Sequence, residues 1–251
     1  VIPLLVLSRS FQDIPVGFVP ADESAVYAAR LEGPSADWMV TLEDDRLQVE
    51  TRTDWVTRVK EAPRPKADAT VFLGDTNFRW RRGEGIPMAG GWLHAYDRGE
   101  FGGGIAWFSK DGSAHQVVSS DNTQAILTSP RGVYAVQALS HMGAFWYSRL
   151  VKVERKGSGW SVRTVTDLHE PFPQVIPDGG RFLYLAEGYV STLETDGTQR
   201  ELYRGSKTLN AASFVRRRSG ELWFGASYGI LRLRPKAEGA YAAQWFLPKA
   251  R

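Results

Sequence analysis

Four glycine-bearing turns recur along the chain at nearly one period. Gly90, Gly132, Gly179 and Gly220 stand 42, 47 and 41 residues apart, each between apolar runs too short for helices. The clearest unit is 213–234, Ser213-Phe-Val-Arg-Arg-Arg-Ser-Gly-Glu-Leu-Trp-Phe-Gly-Ala-Ser-Tyr-Gly-Ile-Leu-Arg-Leu-Arg. Ser219-Gly220 closes a first turn, because glycine reaches the positive φ that a tight hairpin needs. Ser227-Tyr228-Gly229 turns the chain again before Ile230, Leu231 and Leu233. The unit therefore reads as three short strands, with 241–247 as a fourth.

A four-strand unit repeated every 40–50 residues or so implies a β-propeller. Each sheet has apolar faces that it cannot cover alone, and blades packed side by side cover one another and leave only short edges. A β-sandwich is the main rival, and it gives no reason for a repeat of this period. The expected fold is all-β, a single β-propeller domain over 1–251 with five four-stranded blades, a sixth being allowed. Residues 16–51 are read as one of the five, with Ala25–Leu31 as a strand. Residues 60–86, with Pro63 and Pro65, are read as an insertion or extra hairpin (70–74 with 77–81). A helix over 53–61 is expected to be short or absent. Residues 2–8 are expected to pair with 241–247 and close the ring, and Trp223 is expected to be buried between blades.

Ser219-Gly-Glu-Leu-Trp-Phe-Gly-Ala-Ser-Tyr-Gly-Ile-Leu-Arg-Leu resembles the repeat of bacterial propellers of the two-component-regulator type. Asp178-Gly-Gly-Arg-Phe-Leu-Tyr-Leu and Thr195-Asp-Gly-Thr are similar in kind to propeller repeats at large. The likeness covers one repeat well and three loosely, about half of the chain. It implies a fold, since such repeats serve enzymes, sensors and scaffolds alike. It also implies that loops between second and third strands share one face with the links between blades.

Composition excludes several function classes. The chain has no cysteine, which removes disulfides, thiolate metal sites and a cysteine nucleophile, and is slightly easier to explain in a periplasmic or otherwise exported protein than in a cytoplasmic one. A net charge of +3 is a small excess. Neither a basic helix nor zinc-ligand spacing supports nucleic-acid binding. Val1-Ile-Pro-Leu-Leu-Val-Leu has too few apolar residues to span a membrane and lacks the basic start of a signal peptide.

The candidate binding face takes Asp97, Glu100, Phe101, His141, Glu187, Tyr189 and Tyr228 from loops between second and third strands. Asp121, Asn122, His169 and Glu170 join it from links between blades. No two of His94, His115, His141 and His169 have metal-ligand spacing on one helix or hairpin. No metal or cofactor is expected. Gly99-Glu-Phe-Gly-Gly-Gly lacks the order and the lysine of a phosphate loop, and no G-x-S-x-G element is present. Without a catalytic signature, the leading reading is a non-catalytic module that binds a protein partner, of which an inhibitor or immunity protein would be one kind. Two alternatives stay open. One is a glycosidase or lyase using Asp97, Glu100 or Glu187 at the axial mouth; the other is a sensor of a small ligand. Oligomeric state is left open.

Overall fold

The structure, a computed structural model, describes residues 14–32, 37–61, 69–73, 76–80, 85–141, 144–170, 174–186, 188–205 and 211–249. The chain opens with β1 (Phe18–Ala21), α1 (Glu23–Glu32), a hairpin of β2 (Trp38–Glu43) and β3 (Arg46–Thr51), and α2 (Arg52–Glu61). A second hairpin, β4 (Ala69–Leu73) and β5 (Thr76–Trp80), follows. Three four-stranded sheets come next. The first is β6 (Ile86–Met88), β7 (Gly91–Asp97), β8 (Gly103–Ser109) and β9 (His115–Ser119). The second is β10 (Thr123–Ser129), β11 (Gly132–His141), β12 (Ala144–Lys156) and β13 (Gly159–Asp167). The third is β14 (Gln174–Asp178), β15 (Arg181–Ala186), β16 (Tyr189–Leu193) and β17 (Gln199–Arg204). The last strands are β18 (Ala211–Arg216), β19 (Leu222–Ala226), β20 (Gly229–Pro235) and β21 (Tyr241–Pro248). Two compact units result, 1–62 with 203–251, and 63–202.

In the unit 63–202 the repeat is realised as antiparallel meanders in which each strand pairs with its neighbours in sequence. Gly90, Gly132 and Gly179 each join a first strand to a second, and all have positive φ, as does Gly220 in the other unit. The sheet β10–β13 shows why such sheets must stack. On β11, Val133 and Ala135 face one way and Tyr134 and Val136 the other, as strand periodicity requires. Ala135, Val151 and Val153 pack with Leu93, Ile105 and Trp107 of β6–β9. Tyr134, Val136 and Leu150 pack with Phe182, Tyr184 and Leu193 of β14–β17. Both faces of the sheet are thus apolar and covered, the property expected of a propeller blade.

In the other unit, β18–β21 forms the same meander, with Trp223 fully buried as expected. Its indole stacks on Phe246 with centroids 5.5 Å apart, and the Arg232 guanidinium lies 5.2 Å from both rings. This face packs on Val40, Trp38, Leu47 and Val49 of the β2–β3 hairpin.

Four expectations from the sequence need correcting or closing. Residues 16–51 do not form a four-stranded meander. Ala25–Leu31 belongs to helix α1, because Asp22 caps it: the Ala25 N–H donates to Asp22 Oδ1 at 2.8 Å and the Ser24 hydroxyl at 2.6 Å. Residues 52–61 form a full ten-residue helix, α2. Thr51 accepts the Asp54 N–H at 3.2 Å and donates to the Asp54 carboxylate at 2.7 Å, a reciprocal cap that outweighs the β-branched residues. Residues 2–8 lie outside the described residues. The free edge of β21 is taken by β1, which pairs Phe18 with Pro248 and Ala21 with Trp245. The extra hairpin at 70–81 is present as β4–β5.

Candidate functional site

At one end of the sheets in the unit 63–202, the β7–β8 loop meets the β9–β10 link. The loop is a 3-10 turn, Gly99–Phe101, latched at both ends. Arg98 N–H donates to Gly102 O at 2.9 Å, and Gly99 N–H donates to the Asp97 carboxylate at 2.8 Å. From the link, the Asn122 side-chain amide donates to Gly99 O. The glycines that follow are a packing requirement. A Cβ on Gly103 would stand 2.5 Å from the Asn122 side-chain oxygen, and one on Gly104 2.3 Å from Ser119 O. Phe101 is carried outward on this turn and is 71% exposed.

Beneath the turn lies a buried polar network. Gln137, fully buried on β11, donates to Ser119 Oγ at 2.8 Å and to Thr123 Oγ1 at 3.4 Å, and accepts from Arg149 Nε at 3.1 Å. Arg149, directly opposite Gln137 on β12, forms an ion pair with Asp121 and lies 5.2 Å from the Tyr147 ring. Asn122 N–H donates to the Tyr147 hydroxyl at 3.2 Å. Burial first, then the charge of Asp121, pushes the Tyr147 phenol above its usual value, with a smaller push from Asp97. It therefore stays protonated at neutral pH and presents a hydrogen-bond donor.

A separate set of hydrogen bonds lies toward the third sheet. Glu170 N–H donates to Ser148 Oγ at 3.1 Å, and Tyr184 donates to Leu168 O. Tyr189, half-buried, meets the Tyr184 ring edge to face at 5.7 Å, and burial raises the Tyr184 phenol well above its usual value. His169 adopts a left-handed φ of 58° in this link.

Of the residues singled out from sequence, Asp97 and Phe101 thus fall on one latched loop, and Tyr189 falls at the corresponding turn of the third sheet. Glu100 belongs to the 3-10 turn, and His141 is the last residue of β11. Glu187 lies outside the described residues. Tyr228 belongs to the other unit, half-buried in the β19–β20 turn. Beside it the Ser227 hydroxyl donates to Asp37 at 2.7 Å, and Asp37 pairs with Arg52 at 3.1 Å. Sequence reading missed Gln137, Tyr147 and Arg149. The available signal was the interruption of two apolar strands by polar side chains, Val-Gln-Ala and Ser-Arg-Leu. Among the described residues no cluster of three His, Asp or Glu side chains could hold a metal, and no helix is long and apolar enough to cross a membrane.

Four-stranded meanders with two apolar faces, stacked against one another, make this a mostly β, propeller-like chain. No protein-family model and no curated protein matches its sequence. Among solved structures it is similar to a gluconolactonase from Xanthomonas campestris, with a TM-score of 0.38 and 15% identity over 59% of this chain and 44% of that one. It is also similar to the extracellular domain of a proposed one-component system from B. thetaiotaomicron, with a TM-score of 0.42 and 13% identity over 94% of this chain and 33% of that one. The chain spans less than half of the length of either.

Proposed function

We propose that the chain is one propeller-type domain of five blades, the fifth built on the β2–β3 hairpin, and that it binds a protein partner without catalysis. The contact surface is the end of the sheets that carries the β7–β8 loop, the β9–β10 link and Tyr189. The single observation behind this reading is Phe101, an exposed aromatic displayed on a turn that five hydrogen bonds hold in place: Arg98 N–H to Gly102 O, Gly99 N–H to Asp97, Phe101 N–H to Arg98 O at 3.2 Å, Gly102 N–H to Gly99 O at 3.3 Å, and Asn122 to Gly99 O. A backbone turn already held in place loses little entropy when a partner covers the aromatic it displays, and aromatic anchors dominate interface energies. The nearby carboxylates already hold structural partners, Asp97 a backbone N–H and Asp121 the Arg149 guanidinium. That employment argues against Asp97 and Asp121 as the acid–base pair that a glycosidase mouth needs.

The test is Phe101→Ala. Its melting curve should stay within roughly 0.5 kcal/mol of the parent, as for a surface change. Capture of the partner from the source extract should weaken by about 2 kcal/mol or more, some thirtyfold in affinity. A partner retained at full affinity, or turnover of a glycoside or lactone by the parent protein, overturns the reading.

A further inference from the structure

At the opposite end of the same two sheets, where the β6–β7 and β12–β13 turns lie, a cavity of about 300 Å³ opens between β6–β9 and β10–β13. Its lining includes Gly90, Trp107, Gln116, Arg155, Ser158 and Trp160. The volume is at the small end of those that hold organic ligands.

The polar groups around this cavity are unequally engaged. Both atoms of the Gln116 amide are taken by the backbone of Trp160: Nε2 donates to Trp160 O at 2.8 Å, and Oε1 accepts from Trp160 N–H at 3.0 Å. The side chain imitates a strand and fixes the two tryptophan-bearing walls in register. A Cβ on Gly159 would stand 2.8 Å from Gln116 Oε1, so glycine keeps this clasp open. Of the remaining polar groups, the Arg155 guanidinium is the accessible charged one. The Trp107 indole N–H is buried with no hydrogen-bond partner among the described residues. The same edge of the ring lies on the Gly90 turn, with Cζ2 3.7 Å from where a Cβ on Gly90 would stand. Arg155 is exposed, lies 5.4 Å from the Trp160 ring, and makes no ion pair among the described residues. Two indoles supply apolar walls, and a guanidinium supplies positive charge and hydrogen-bond donors.

We propose that this cavity binds a small planar organic anion, an aromatic carboxylate, with its ring against Trp107 and Trp160 and its carboxylate on Arg155. A neutral ring would leave the guanidinium unmatched, and a free inorganic anion would leave the indoles wet. The site lies at the other end of the sheets from Phe101 and stands or falls without the partner-binding reading.

The experiment is a titration of the ¹⁵N-labelled full chain with benzoate and with its neutral isostere benzamide, read on the indole N–H signals. Benzoate should shift the Trp107 signal saturably, and benzamide should bind at least about tenfold more weakly. Arg155→Gln should weaken benzoate by about tenfold and leave benzamide unchanged. Phe101→Ala should leave both titrations unchanged. Trp107→Phe identifies the reporting signal; Arg155→Gln changes an exposed side chain and carries the test without it. Absence of a saturable indole shift up to about 20 mM, equal affinities for the two probes, or a benzoate affinity indifferent to Arg155→Gln overturns the proposal.

Discussion

The sheets β10–β13 and β18–β21 are built from the same four-strand meander, yet they are completed differently. The first has each strand next to its sequence neighbour, other meanders on both faces, and a polar network threaded through its middle from Gln137 to Arg149. The second takes a fifth strand, β1, from far upstream and covers its Trp223 face with a two-stranded hairpin. Local pairing is what a repeat encodes. Completion of an edge or a face is met by whatever apolar segment the chain can bring there.

The comparison breaks most directly at Trp223. Trp223→Ala should cost about 3–5 kcal/mol, because an indole stacked on Phe246 and covered by β2–β3 leaves a cavity that the sheet cannot collapse. Urea denaturation measures it. A cost under about 1 kcal/mol would mean that the hairpin closes over the gap, and that a two-stranded cover adapts where a full sheet does not. Gln137→Leu sharpens the other half. Ser119, Thr123 and Arg149 would each lose the same partner, for a loss of about 1–3 kcal/mol. A neutral or stabilising result would show that the polar middle of β10–β13 is replaceable by plain packing, as in β18–β21.

The smallest expected effect lies in the β8–β9 turn. The Ser109 hydroxyl first, then the Ser113 N–H and hydroxyl, hold the Asp111 carboxyl down at about 2. A carboxyl lowered on folding helps the folded state above its ordinary value of about 3.9, and that help disappears as pH falls through about 2. The Ser113 and Ala114 amide signals should therefore titrate with a midpoint near 2, and Asp111→Asn should abolish the titration. A midpoint near 4 would show that the turn does not grip its carboxylate.

The parts legible in sequence were those fixed by short-range rules. Gly90, Gly132, Gly179 and Gly220 marked first turns because a positive φ closes them, and Trp223 marked a core because it sits between Leu222 and Phe224 in an apolar run too short for a helix. Residues 16–61 misled for an equally local reason. Ala25-Val-Tyr-Ala-Ala-Arg-Leu reads as an apolar strand unless Asp22 is seen as a cap, and Thr51 with Asp54 rescues a helix that its β-branched residues disfavour. The loop residues Asp97 and Phe101 could be placed from the repeat. Gln137 and Arg149 could not be joined, since their contact depends on the register of β11 against β12. Pairing of β1 with β21 was beyond any local rule.

That last pairing has a consequence for the order of events during synthesis. Phe18 waits for Pro248, so the five-stranded sheet cannot be finished until the chain through Pro248 has left the ribosome. At translation rates of roughly 5–20 residues per second, β1 spends on the order of ten to fifty seconds without its partner. The meanders between 86 and 202 need no such delay, since every strand finds its neighbour within a few tens of residues. They can be in place before β18–β21 emerge, leaving capture of the early strand as the closing, long-range step.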